Sequence, residues 1–115
     1  MKLQIQGQHL RLRIEESELA ALRNGATLEN ATCLGAVAWR LSLRLTKADH
    51  TSLRTGVDEC ALEIPGRLVE AYAAGLPCRE GLALSLRAEG GPPIAVTLEV
   101  DIRDSVRSRG AVRRS

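Results

Sequence analysis

The sequence contains no phenylalanine, one tryptophan (Trp39) and one tyrosine (Tyr72) among 115 residues. Eighteen leucines stand in their place, so aliphatic packing must supply nearly all the hydrophobic stabilisation. The scarcity of aromatic rings also argues against single-stranded nucleic-acid binding, which stacks bases on such rings. No apolar run is long enough to span a bilayer. Residues Met1–Gln6 lack the apolar stretch of a signal peptide, which predicts a cytoplasmic protein. The three cysteines, Cys33, Cys60 and Cys78, are odd in number and match no zinc spacing, which fits the same compartment.

What is present suits one domain of ordinary size. The net charge of +2 is unevenly spread. Residues 103–115 hold five Arg and one Asp, so the tail is basic and the body slightly acidic. The chain reads as a single α+β domain over residues 1–103, followed by a basic tail, 104–115, that loses all periodicity and is expected to be disordered.

Periodicity gives the elements. Leu3 and Ile5 alternate with Gln4 and Gln6, and the phase then shifts to Leu10, Leu12 and Ile14. A two-residue type II′ turn at Gly7-Gln8 explains the shift, pairing Gln6 with His9, Ile5 with Leu10 and Leu3 with Leu12. Residues 15–24 read as a short helix with Glu15, Glu16 and Glu18 in its first turn and Gly25 as terminator. A weaker strand follows at 26–32, with Cys33 at a turn before Gly35. Val37–Thr46 alternates over ten residues and is the clearest strand. Lys47–Gly56 is polar and reads as a loop. A strand at 57–64 runs through Cys60, Leu62 and Ile64 into Pro65, then a helix ended by Gly75. Leu82–Leu86 and Ile94–Ile102 complete the set. An offset of fifty residues superposes 10–25 on 60–75, which suggests an internal duplication.

The opening, Met1-Lys2-Leu3-Gln4-Ile5-Gln6-Gly7-Gln8 running into the Arg-alternating strand and Glu16-Ser17-Glu18-Leu19, resembles a family of short bacterial proteins of unknown function. Leu62-Glu63-Ile64-Pro65 leading into a helix is similar as well. The resemblance implies a fold and a bacterial source, and brings no assigned activity. Members of that family often end in an acidic, cysteine-containing tail, whereas this chain ends in Arg103–Ser115.

Together these features predict a mostly antiparallel curved sheet, or a partly closed barrel, of six or seven strands with two short helices. No catalytic constellation, metal-ligand cluster or cofactor motif is legible. His9 and His50 read as surface residues, and Cys60 as a small buried hydrophobe. Cys78, beside Arg79, has the best claim of the thiols to a lowered pKa. The leading expectation is a non-enzymatic binding or interaction module whose sheet edges pair with a second copy as a homodimer. An alternative is a small enzyme or anion-binding protein with a cleft lined by Arg40, Arg44 and Arg87, with Cys78 or His50 nearby. The polar faces of the strands hold Arg11, Arg13, Arg40, Arg44 and Arg87 with Glu59, Glu63, Glu99 and Asp101 in comparable number, so cross-strand ion pairs are the simpler expectation. A further alternative is nucleic-acid binding through the tail.

Overall fold

The computed structural model describes residues 1–77, 80–87 and 90–102. Cys78, the proposed Arg79 neighbour and the basic tail lie outside the described residues. Ten elements follow one another as two similar series. The first is β1 (Lys2–Gln6), β2 (His9–Glu15), α1 (Glu16–Arg23), β3 (Leu28–Leu34) and β4 (Val37–Thr46). The second is β5 (Ser52–Thr55), β6 (Glu59–Pro65), α2 (Gly66–Ala74), β7 (Leu82–Arg87) and β8 (Pro93–Asp101).

These strands build two four-stranded sheets, ordered β1-β2-β8-β7 and β3-β4-β6-β5. Each sheet takes its first hairpin from one half of the chain and its second hairpin from the other. The helices are the crossovers, carrying the chain from one sheet to the other. The outer pairs of each sheet are antiparallel, whereas the central pairs, β2 with β8 and β4 with β6, run parallel.

The registers of the two halves correspond. Lys2 pairs with Arg13 in the first hairpin, and Ser52 with Glu63 in the second, an offset of fifty residues on both strands. Leu12 lies opposite Leu98 as Leu62 lies opposite Leu43. Even a single hydrogen bond recurs: Ala95 N–H donates to Gln8 C=O at 2.9 Å, and Arg40 N–H to Asp58 C=O at 2.9 Å. The superposition of 10–25 on 60–75 therefore extends back through β1 and β5.

The central strands also share one core pattern. Leu12 and Ile14, Leu41 and Leu43, Leu62 and Ile64, and Val96 and Leu98 are all buried. With Leu19 and Leu22 of α1, Val69 of α2 and Leu86 they form one cluster between the sheets. Removing a fully buried leucine side chain from water stabilises the fold by roughly 1.5–3 kcal/mol. Eight such positions on four paired strands explain how a chain without phenylalanine holds together. Tyr72 ties the layers by a polar contact: its hydroxyl accepts the Val100 N–H at 3.3 Å, linking α2 to β8.

Local signals act as their chemistry requires. Gly7 has φ +55° while Gln8, like every other non-glycine among the described residues, has negative φ, as a type II′ turn demands. The expected pairs Gln6–His9, Ile5–Leu10 and Leu3–Leu12 are all present. Glu15 N–H donates to the Glu18 carboxylate at 2.9 Å at the start of α1. At its end, Gly25 N–H donates to Leu22 C=O and Ala26 N–H to Ala21 C=O, with Gly25 at φ +96°, which is a Schellman motif. Gly75 caps α2 at φ −95°, so the two helix ends are equivalent in position but not in conformation.

Several expectations need correction. There are eight strands among the described residues, in two sheets, with no closed barrel, instead of one sheet or barrel of six or seven. The expected loop Lys47–Gly56 contains β5, whose four residues offer too little alternation to be seen alone. Cys33 lies inside β3, and the turn is Gly35-Ala36. Cys60 is half-buried.

Candidate interaction surface

The β3–β4 hairpin outruns its own sheet. Parallel pairing of β4 with β6 begins at Arg40, so Val37, Ala38 and Trp39 have only β3 beside them. Every residue from Ala31 to Ala38 is exposed, on both faces of the ribbon. Leu34 is 66% and Val37 54% exposed at the tip. Val57, fully exposed, lies in the β5–β6 turn at the same end of the sheet. Charged residues make up 26% of the chain, yet residues 30–39 contain none. From Ala31 to Ala38 this arm is therefore uncharged and exposed on both faces, while Trp39 at its root packs against the core.

β3 is also an edge strand, with no neighbour beyond it in the sheet. The hairpin closes on a two-residue turn with Leu34 opposite Val37. In such a hairpin the flanking pair exchanges both of its hydrogen bonds, and the pattern alternates along the ladder. The N–H and C=O groups of Cys33 and Ala31 accordingly point to the open edge. Just before the arm, the Asn30 side-chain amide donates to the Met1 carbonyl at 2.9 Å and ties β3 to the N-terminus. Beyond that contact the open edge spans Ala31 to Gly35.

The three arginines proposed for an anion cleft are not gathered into one. Arg40 and Arg44 lie on β4, and Arg87 on β7 of the other sheet. Arg40 approaches Glu59 at 3.4 Å, and Arg44 Nε donates to Glu63 at 2.7 Å. Arg54 shares Glu63 at 3.5 Å, and Arg11 faces Glu99 at 3.7 Å. These are the cross-strand pairs expected for a wet sheet face, and exposed pairs of this kind contribute at most about 1 kcal/mol each. Arg40 does line a shallow depression of about 170 Å³, shared with Glu29, Ser42 and Glu59, where the carboxylates offset its charge.

The remaining candidates disperse. His9 Nε2 lies 2.8 Å from the Thr97 hydroxyl on the outer face of the other sheet. His50 is exposed in the loop before β5. Among the described residues, no group of three His, Cys, Asp or Glu could hold a metal ion. Burial, and then the charge of Glu59, push the Cys60 thiol up from its ordinary value, which disfavours the nucleophilic thiolate. A groove of about 440 Å³ runs between α1 and the turn after α2, lined by Glu16, Leu19, Arg23, Leu76 and Ile102. Glu16 Oε1 is buried there with no hydrogen-bond partner among the described residues. Arg23 is held away by a two-point pair with Glu70, at 2.9 and 2.7 Å, which joins α1 to α2.

Comparison with known families places this geometry. One family model matches residues 1–104, which takes in every strand and helix described above. The chain belongs to the family of unknown function DUF7009. No curated protein and no solved structure matches it. The DUF7009 match ends at residue 104, so most of the basic tail falls beyond it. No helix among the described residues of this DUF7009 protein is long and apolar enough to cross a membrane.

The arm escaped the sequence reading for a physical reason. Period-two alternation places Val37 in phase with Leu41 and Leu43, which are buried, and so predicts a buried Val37. A strand that extends past its neighbour keeps its alternation and loses its cover. The usable signal was the absence of charge across residues 30–39.

Proposed function

We propose that this protein is a cytoplasmic, non-enzymatic protein-interaction module that docks its partner by strand addition at the open edge of β3. The observation that carries this reading is the arm: eight consecutive exposed residues, uncharged, with two unpaired edge positions at Ala31 and Cys33. Exposed apolar edges template pairing with another strand, and natural sheets blunt them with charge or proline. The other second hairpin, β7–β8, is blunted in that way, with Arg87 on its edge strand and Pro92-Pro93 at its tip. The unblunted arm is the surface on which a partner gains most apolar contact.

A photo-crosslinking amino acid placed at residue 34, in cells producing the full chain, tests this. A discrete adduct is expected from position 34 and none from position 87, and Thr32→Lys beside the probe should abolish it. Absence of any adduct at position 34, or the same adducts from both positions, would overturn the reading.

A further inference from the structure

We infer that the strand added to β3 is the β3 of a second copy of this chain, with the twofold axis passing beside Cys33. This rests on the strand-addition reading above and names its partner. A twofold axis perpendicular to a sheet places a strand antiparallel to itself, so an edge strand can close such an interface with its own copy. The open stretch runs from Ala31, where the Met1 contact at Asn30 ends, to Gly35 at the turn. Its centre is Cys33. Centring there sets Cys33 opposite its own copy, Thr32 opposite Leu34 of the second copy, and Ala31 opposite Gly35 of the second copy. This register sets the outward-facing N–H and C=O groups of Cys33 against those of its own copy and turns those of Ala31 toward Gly35 of the second copy.

Charge decides between this partner and others. Self-pairing lays two strands of identical composition side by side, so a strand with charge of one sign repels its copy. Residues 30–39 carry no charge, so self-pairing opposes no like charges. A charged partner would instead leave its charges unanswered against an apolar ribbon. The product is a continuous eight-stranded sheet, β5-β6-β4-β3 followed by the same four strands of the second copy in reverse order, with Leu34 of each copy beside Thr32 of the other.

Sedimentation of the purified full chain under reducing conditions should show a concentration-dependent dimer. Diamide, which takes two protons and two electrons from a pair of thiols, should convert that dimer to a disulfide-linked species that Cys33→Ser abolishes. In a hydrogen-bonded antiparallel pair the Cα atoms lie about 5.5 Å apart, within disulfide reach. Thr32→Lys with Leu34→Lys opposes lysines twice across the axis and should weaken the dimer about 100-fold, with an unchanged circular dichroism spectrum. Thr32→Lys with Leu34→Glu opposes unlike charges in the same register and should restore it. A wild-type chain that stays monomeric, or a dimer indifferent to the lysine pair, would overturn the inference. A monomer that still gives the residue 34 adduct, at the mass of another protein, would sink the second copy and leave strand addition standing; a monomer with no adduct sinks both.

Discussion

The two second hairpins occupy equivalent places in the two sheets and have opposite surfaces. Both pair with the first hairpin of the other half in matching parallel registers, Leu43 opposite Leu62 and Leu98 opposite Leu12. Both overhang that pairing at their tips. One tip, Leu34-Gly35-Ala36-Val37, is short, apolar and uncharged. The other spans residues 87–93 and carries Arg87, Glu89 and two prolines. The difference separates two kinds of constraint. Core positions are held in common because both halves must fill one interior. None of the described tip residues belongs to the buried core, so each tip is free to serve or to refuse a partner.

Four experiments would break or sharpen that comparison. The largest effect is expected from cutting the chain within the loop between β4 and β5. Because each sheet needs a hairpin from each half, neither the fragment 1–49 nor 50–115 should fold alone, while co-expression should yield one folded complex. Circular dichroism of each fragment and of the mixture reads this directly. A fragment that folds by itself would show that the halves are less interdependent than their pairing implies.

Next come Leu12→Ala and Leu62→Ala. Both side chains are fully buried at equivalent positions, and each truncation should cost about 3 kcal/mol in urea unfolding. Values differing by more than about 1 kcal/mol would show that the shared register does not bring shared packing.

Gly81→Ala is expected to cost about 1–3 kcal/mol. An added Cβ would lie 2.8 Å from the Leu98 carbonyl oxygen, 2.8 Å from Glu99 Cγ and 2.8 Å from Thr97 Cγ2. The equivalent residue before β3 is Thr27, which is exposed, and Thr27→Ala should stay within about 0.5 kcal/mol of wild type. Equal effects at the two sites would contradict this asymmetry.

The smallest effect is a pH dependence from a contact that only the first half makes. Burial pushes the Glu18 carboxyl up, but the Met1 ammonium and the Glu15 N–H outweigh it and hold the carboxyl below its ordinary value of 4.5. The folded state therefore favours the ionised form. Its contribution, on the order of 0.5–1 kcal/mol, is present above the ordinary value and fades as pH falls through the lowered one. The residue equivalent to Glu18 in α2 is Leu68, which cannot titrate. The stability gap between wild type and Glu18→Gln should close on acidification, and a gap independent of pH would refute the assignment.

Much of this fold was legible in the sequence. Alternation at Leu41 and Leu43 marks a strand buried on one face, and Gly7 marks a turn that only one geometry satisfies. Gly25 announces the end of α1 with its Schellman bonds. Pairing partners were not legible, because a strand buried on one face reads the same whether its neighbour runs parallel or antiparallel. For the same reason Leu12 and Leu62 advertise an inner face without saying that they line opposite sheets. β5 has a single buried-side leucine, Leu53, and became visible only through its equivalence with β1. The candidate arginines illustrate the converse limit. Their charge was plain, but the carboxylates that Arg40 and Arg44 meet on β6 depended on the register.

The exchange of hairpins between halves has a consequence for the order in which the chain is made. The sheet β3-β4-β6-β5 comes from one continuous stretch, residues 28–65, and can assemble soon after that stretch leaves the ribosome. The other sheet joins β1 and β2 to β7 and β8, and Leu12 meets Leu98 only after some eighty further residues have emerged. Until then the inner edge of β2 has no neighbour, and the nascent N-terminal hairpin must wait with its leucines uncovered. β8 therefore acts as a zip fastener, and a transcript ending short of it yields a chain whose opening residues never find their place.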